Sequence, residues 1–219
     1  MWARIRPMGS GYHSPRRAVA AAATRAAILT NARALFLEHG YAAVTVGDIA
    51  KAARVAVPTV YASAGGKSGI LSALLQPAVE DSSVGETLAA VAAADDPRRV
   101  VDLAAEGTRR DHERHWETLY GLLRHAPGEA AAREVIDAGI GSYLDALAAV
   151  ADRLAALGGL APGIDRAEAL DLLWFHLGQP AWFTLVGDRG WTFDRAQSWL
   201  AAAARRALLT DPDGVRTRP

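Results

Sequence analysis

The sequence contains no cysteine among its 219 residues and only two lysines, Lys51 and Lys67. Without cysteine, a disulfide scaffold, a thiol nucleophile and zinc sites that need thiolate ligands are all excluded. No run of eighteen apolar residues is present, which argues against a membrane span. Residues 1–17 carry four arginines but no continuous apolar stretch of the kind a secretory signal needs. These absences predict a cytoplasmic protein that does not enter the membrane.

The charge of the chain is divided between its two ends. Residues 1–80 hold nine basic and three acidic residues, a net charge of +6, and residues 81–219 hold fifteen basic and twenty-one acidic residues, a net charge of −6. A basic segment is typical of modules that neutralise nucleic-acid phosphates, whereas an acidic surface is repelled by them. A basic tail beside an ordinary protein surface is the alternative that charge alone leaves open.

Helical periodicity runs through the whole chain, and no strand-type alternation interrupts it. Thr45 and Asp48 fit a capping box, Asp165 and Glu168 fit a second one, and Pro180 is expected to bend the helix that follows. The spacing of apolar residues predicts helices at 16–39, 46–53, 56–62, 67–76, 84–94, 97–109, 111–125, 129–157, 165–187 and 193–209. The fold class is therefore predicted to be all-α.

Two of these helices are short and close together, at 46–53 and 56–62. A short capped helix that is followed within a few residues by another is a helix-turn-helix. In this motif the second helix enters the major groove of DNA, and the first braces it across the backbone. The pattern therefore predicts a three-helix DNA-binding domain at the basic end of the chain.

In this region the chain resembles the TetR family of bacterial transcription regulators, and the match extends over residues 24–75. It is carried by Ile28, Leu29, Ala32, Leu35, Phe36, Gly40, Tyr41, Thr45, Val46, Asp48, Ile49, Ala50, Ala53, Val55, Pro58, Thr59, Val60, Tyr61, Lys67, Ile70 and Leu71. The resemblance implies a helix-turn-helix DNA-binding domain at 16–76 behind a flexible arm at 1–15. It also implies a helical ligand-binding and dimerisation domain at 77–210, before a flexible tail at 211–219.

The resemblance also implies roles for individual residues. Thr45, Tyr61 and Lys67 are expected to hold the sugar-phosphate backbone. Val57, Pro58 and Thr59 are expected to face base edges, where Thr59 can hydrogen-bond several bases and the other two can contact thymine methyl groups. Because this chemistry discriminates weakly, we expect Arg16 and Arg17 of the N-terminal arm to add specificity in the minor groove.

Three residues depart from the family pattern. Arg54 stands where the family usually has a turn glycine, so it is expected to adopt a left-handed backbone at a cost of about 1 kcal/mol or more. Ala56 replaces the usual serine cap, and Ala64 replaces an aromatic residue that anchors the third helix to the fourth. With Gly65 and Gly66 following, this corner is expected to be loose.

The second half of the chain carries a weaker signal for a ligand site. His176 and Gln179 lie one turn apart on an otherwise apolar helix face, and buried polar groups need partners. A ligand can supply those partners in a mostly apolar pocket, although a histidine satisfied within the core is the favoured single explanation. The candidate ligand-binding residues are Trp116, Tyr120, Tyr143, Phe175, His176, Gln179 and Phe183.

Other chemistry finds little support in the sequence. Asp111, His112 and His115 are the one candidate metal cluster, but their stretch reads as a solvated helix start, so no metal and no cofactor is expected. The chain is predicted to be a ligand-responsive regulator, a repressor rather than an enzyme. The resemblance implies a homodimer that binds palindromic operator DNA and joins its subunits through residues 165–187 and 193–209, and we expect a small, largely apolar effector to release it. A helical interaction protein without DNA, and a helical enzyme, are the alternatives.

Overall fold

The computed structural model describes residues 15–124 and 128–210, which are helical almost throughout. The elements are α1 (Pro15–His39), α2 (Val46–Ala52), α3 (Val57–Ala64), α4 (Gly66–Val79), α5 (Ser82–Ala93), α6 (Pro97–Leu123), α7 (Ala130–Ala156), α8 (Arg166–Leu177), α9 (Gln179–Trp182), a π-helix (Phe183–Asp188) and α10 (Phe193–Leu208). Within these ranges the one β-type pairing is an isolated bridge between Leu160 and Leu209. The predicted all-α fold is confirmed.

The helix-turn-helix forms for the local reasons that the sequence predicts. Gly40 ends α1 with a left-handed φ of 82°, and the Thr45 and Asp48 side chains each bond the other's backbone N–H at the start of α2. Arg54 is in the left-handed region with φ 55°, and Ala56 precedes α3 without a side-chain cap. Both departures from the family pattern therefore weaken the turn locally, as expected.

The corner between α3 and α4 is tight, contrary to the prediction of a loose one. Gly65 reverses the chain with φ 72°, and Gly69 brings the α4 backbone against the end of α3. A Cβ atom added at Gly69 would lie only 2.1 Å from the carbonyl oxygen of Ala64. Small residues thus take the place of the aromatic residue of the family pattern, because they allow the backbones of α3 and α4 to come into direct contact. Helix α4 also continues past Pro77 to Val79.

Residues 97–123 form one continuous helix, α6, whereas the sequence analysis predicted a break near residue 110. No glycine or proline lies at that point, and the polar run there was mistaken for the start of a new helix. Asp111 and His112 are buried in the middle of α6, so the interpretation of this stretch as a solvated helix start was wrong. Their burial gives the interior of the fold a polar centre.

The predicted helix 165–187 is interrupted at Gly178 rather than bent at Pro180. Gly178 is extended, with ψ 164°, and Pro180 lies in the first turn of the short α9, where its missing N–H costs nothing. A side chain at position 178 would meet the Trp174 carbonyl oxygen at 2.3 Å. The break changes the direction of every side chain that follows it.

Two hydrophobic cores hold the helices together. The N-terminal core of α1–α4 also contains Leu119 and Leu122 of α6 and Ala132 and Ile136 of α7. The predicted division at 76/77 therefore falls inside α4, within a core that both parts of the chain share. The arm predicted before residue 15 and the tail predicted at 211–219 lie outside the described residues. None of the described helices has the length and apolar character needed to cross a membrane.

Candidate nucleic-acid interface and cavity

Helix α3 divides its residues between the core and an open surface. Val60 and Ala64 are buried against the helices behind, while Val57, Pro58 and Tyr61 are exposed. Tyr61 leaves 56% of its surface accessible although it is aromatic. Thr59 is half-buried beside them. The outward face of α3 therefore carries Val57, Pro58 and Tyr61, three of the residues expected to contact DNA, and Thr59 lies at its half-buried edge.

Thr45, another candidate DNA contact, already makes hydrogen bonds within the protein. The Thr45 hydroxyl donates a 2.6 Å hydrogen bond to Asp48 Oδ2 and accepts one from the Asp48 backbone N–H. The hydrogen bonds from Thr45 hold the pKa of Asp48 below its usual value. A phosphate that bonds the Thr45 hydroxyl proton must therefore replace Asp48 as its acceptor.

Lys67 is bound to the second half of the chain. Its Nζ atom lies 2.9 Å from Oε1 of Glu129, the residue that precedes α7, and 4.4 Å from the centre of the Tyr41 ring. Only 17% of the Lys67 side chain is exposed. Burial, with the nearby Glu129 charge, raises the pKa of Tyr41 to about 12. Lys67 thus links the helix-turn-helix to the start of α7.

Arg16 and Arg17 are exposed in the first turn of α1. They belong to a regular helix and not to an extended arm, because both lie within α1. This placement corrects their assignment to the arm. Any contact they make with DNA has to be made from the end of α1.

A cavity of about 110 Å³ lies between α4, α5, α6 and α7. Its wall is mostly apolar and includes Leu75, Leu88, Leu119, Ile136, Ile140 and Leu147. The polar residues that line it are Thr87, Thr108, Asp111, Ser142, Tyr143 and Gln179. An apolar wall with a few polar groups is the usual form of a small-molecule site.

Two of the seven candidate ligand residues, Tyr143 and Gln179, line this cavity. Trp116 and Tyr120 instead stack on each other, with ring centres 4.9 Å apart, and Phe183 meets both edge-on. Phe175 is 73% exposed on the outside of α8. His176 is half-buried beside Phe175, with ring centres 5.1 Å apart. The structure therefore separates these five residues from the cavity.

The separation of His176 from Gln179 has a simple physical cause. Their predicted common face requires one continuous helix, and α8 ends at Leu177. Gln179 begins a new helix on the cavity side of Gly178, whereas His176 stays near Arg206 of α10. Partial burial, together with the Arg206 charge, lowers the pKa of His176.

The sequence analysis missed Asp111 as a cavity residue. This carboxyl is 8% exposed, and burial raises its pKa to about 6. Next to it, burial lowers the pKa of His112 to about 4, so that the neutral ring donates from Nδ1 to the Thr108 carbonyl oxygen at 2.7 Å. Thr108 and Asp111 interrupt an apolar stripe at helical spacing. Predicting α6 as one uninterrupted helix would have shown that both residues lie on its apolar face.

Asp111 also belongs to a group of possible metal ligands with Asp81 and His115, whose ligand atoms lie within 4.8 Å of one another. Although burial opposes ionisation of Asp81, hydrogen bonds from His115, Ser83 and Arg114 hold its pKa well below the usual range. Both Asp81 oxygens accept from Arg114, at 2.9 and 2.8 Å. The guanidinium thus occupies the position that a cation would take on Asp81.

The cavity and the helix-turn-helix share one helix. Leu75, Ala78 and Val79 of α4 line the cavity, and the same helix contacts the end of α3 at Gly69. Helix α4 thus connects the two candidate sites without an intervening element.

Comparisons with known proteins agree with this architecture. A family model described as "Bacterial regulatory proteins, tetR family" matches residues 28–74. A search of curated proteins found no match. Among solved structures, the complex of SmeT with triclosan is 23% identical, with a TM-score of 0.66, over 90% of this chain and 98% of that one. SmeT is described as the repressor of the Stenotrophomonas maltophilia multidrug efflux pump SmeDEF.

Two further structures are similar over most of the chain. NalD of Pseudomonas aeruginosa, described as the secondary repressor of the MexAB-OprM multidrug efflux pump, is 22% identical, with a TM-score of 0.69, over 88% of this chain and 99% of that one. FadR of Bacillus halodurans, described as a fatty acid degradation regulator, is 19% identical, with a TM-score of 0.66, over 89% and 97%. At these identities the similarity shows a shared fold. The family match confirms the resemblance found in the sequence: residues 28–74 carry the N-terminal domain of the tetR family of bacterial regulatory proteins.

Proposed function

We propose that this regulator is a repressor that binds a palindromic operator as a homodimer and is released by a small, largely apolar effector in the α4–α7 cavity. The observation that carries the proposal is the exposed face of α3, which is formed by Val57, Pro58 and Tyr61. Apolar and aromatic groups left open on a short helix of a helix-turn-helix fit a role in the major groove.

The second copy is proposed to pack on α8 and α10, which themselves pack against each other. Phe175 of α8 is 73% exposed and Trp199 of α10 is 48% exposed. Large exposed apolar side chains on two adjacent helices are typical of an interface, and a two-fold axis makes the same patch serve both partners. The two α3 helices of such a dimer would enter successive major grooves about 34–36 Å apart.

Release is proposed to act through α4. A ligand in the cavity contacts Leu75, Ala78 and Val79, so the ligand-bound cavity favours one position of this helix. Because the α4 backbone contacts the end of α3 at Gly69, a shift of α4 moves α3 and changes the distance between the two half-site contacts. A coupling free energy of about 1–3 kcal/mol is sufficient to change operator affinity by roughly 5- to 150-fold.

Selection from a random pool of duplex DNA tests the proposal directly. The purified full chain is expected to enrich a palindrome whose half-sites are about one helical turn apart. The absence of any enriched sequence, together with equal binding to all duplexes at low ionic strength, would exclude a sequence-specific regulator. A neutral helical protein serves as the control for nonspecific retention.

Lys67 and Glu129 allow the backbone contacts to be tested. Glu129→Gln removes the charge that holds Lys67, so we expect tighter binding to operator and random DNA alike. Lys67→Ala is expected to weaken both and to lower the slope of log K against log salt by about one. Binding is measured by fluorescence anisotropy between 50 and 300 mM salt, with Glu134→Gln on the exposed face of α7 as the matched control.

The expected change in DNA affinity is therefore opposite for the two members of the ion pair. A salt slope unchanged by Lys67→Ala would show that Lys67 does not contact phosphate and serves only to join α4 to α7.

Thr59 is expected to affect recognition instead of overall affinity. Thr59→Ala removes a hydroxyl, at the half-buried edge of the exposed face of α3, that can hydrogen-bond a base edge, so we expect the discrimination between operator variants to fall by about 1 kcal/mol at one base pair. Affinity for random DNA should stay the same. Equal losses for operator and random DNA would instead place Thr59 against the phosphate backbone.

A further inference from the structure

Asp111 is the one cavity-lining residue in the described part of the chain that carries a charge at neutral pH. Its Oδ1 atom is buried and has no hydrogen-bond partner among the described residues. A buried carboxylate oxygen without a donor is unfavourable, because the hydration it has lost is not replaced. The wall of the cavity thus includes a carboxyl group with one unpaired oxygen.

Several nearby donors already bond other acceptors. The Tyr143 hydroxyl donates to the Leu177 carbonyl oxygen at 2.7 Å, and the Thr108 hydroxyl donates to the Ala105 carbonyl oxygen at 3.2 Å. Arg114 and His115 both bond Asp81. A small rotation of these groups therefore does not satisfy Asp111 without breaking an existing hydrogen bond.

The rest of the cavity wall is suited to an apolar molecule. Leu75, Leu88, Ile136, Ile140 and Leu147 surround the space and offer no hydrogen bonds from their side chains. A ligand that matches this wall is apolar over most of its surface and has one donor group that reaches Asp111.

We propose that the effector is an apolar amine whose ammonium group donates to Asp111 and whose hydrocarbon part packs against the leucine and isoleucine wall. This inference deepens the proposed function and rests on the cavity being the effector site. An amine supplies both the missing donor and the opposite charge, whereas an alcohol supplies only the donor and a carboxylate is repelled. A divalent metal fits less well, because Arg114 already neutralises Asp81.

The charged groups around Asp111 set its response to pH. Burial is the largest influence and raises the pKa of Asp111 to about 6. Among the charged groups, Asp81, which precedes α5, also raises this pKa, whereas His115 and Arg114 of α6 lower it. His112 is neutral beside it, and burial keeps the Tyr143 hydroxyl of α7 protonated with a pKa well above its usual value. Amine binding needs the ionised carboxylate, so affinity is expected to fall about tenfold from pH 7.5 to pH 5.

The test compares three probes of the same shape with the full-length protein. Phenethylamine, 2-phenylethanol and phenylacetate are titrated by calorimetry at pH 7.5. Phenethylamine is expected to bind at least tenfold more tightly than 2-phenylethanol, with phenylacetate the weakest of the three. Asp111→Asn keeps the shape of the side chain but removes its charge, so it should abolish the preference for the amine over 2-phenylethanol. Asp145→Asn, at an exposed carboxyl of α7, is the matched control.

Each outcome decides the proposal. Equal affinity for amine and alcohol in the natural sequence, failure of all three probes to bind, or a preference that persists in Asp111→Asn would overturn it. Stabilisation against heat by Zn²⁺ alone that is lost in Asp111→Asn would replace the amine with a metal ion. Amine binding that obeys these expectations but leaves the selected operator complex intact would contradict the proposed release mechanism and not the amine site. The pH dependence of the natural sequence provides a measurement that does not depend on how the variant folds.

Discussion

Replacing Gly69 with alanine is expected to abolish high-affinity operator binding without unfolding the chain. The new Cβ would lie 2.1 Å from the carbonyl oxygen of Ala64, and because that atom is backbone, α3 and α4 have to move apart. Strain of this kind costs about 1–3 kcal/mol per site. Since DNA requires the original geometry in both subunits, the penalty is counted twice, and affinity should fall roughly 30- to 20,000-fold.

The measurement combines anisotropy on the selected operator with chemical denaturation and binding of the cavity probes. Gly85→Ala is the matched control, because nothing lies within 4 Å of a Cβ at that position in α5, and alanine there should stabilise its helix slightly. If Gly69→Ala keeps full operator affinity, the tight corner does not position α3, and the proposed transmission through α4 fails with it.

Charging the proposed dimer surface should have the second large effect. Phe175→Asp together with Trp199→Asp replaces two exposed aromatic side chains on adjacent helices with carboxylates. Around a two-fold axis each copy faces the other's new charges, so dimerisation should weaken at least 100-fold, and operator binding should lose the roughly 10²- to 10⁴-fold gain that comes from joining two half-sites.

Sedimentation velocity over a concentration series, alongside operator binding, measures both effects. Ala89→Asp adds a carboxylate at an exposed position of α5 and is expected to leave the oligomeric state unchanged. A double variant that sediments as the same species as the natural sequence would place the interface on other helices.

Much of the helical framework follows from local chemistry, and for this reason it was predictable. The Thr45–Asp48 capping box and the end of α1 at Gly40 each depend on residues close together in the chain. Such interactions are encoded within a few residues, so spacing and residue type are sufficient to find them. The helix-turn-helix was for that reason predicted almost to its ends.

The candidate cavity was harder to predict because it depends on contacts between distant helices. Asp111 is polar, and it follows two arginines, so its local sequence is that of an exposed turn. Only the packing of α6 against α5 and α7 buries it. The aromatic residues Trp116, Tyr120 and Phe183 were candidates for the ligand site by composition, yet they fill the space between α6 and the π-helix.

By itself, the sequence determined that the chain is helical, that a helix-turn-helix lies near its basic end, and that this module is the one found in tetR-family regulators. The tertiary structure alone decided that Lys67 pairs with Glu129 and that Phe175 lies outside while Asp111 lies inside. It also decided that α4 belongs to both the N-terminal core and the wall of the cavity. The physical reason is that caps and turns arise between neighbouring residues, whereas burial, pairing and cavities arise only when helices far apart in the chain come into contact.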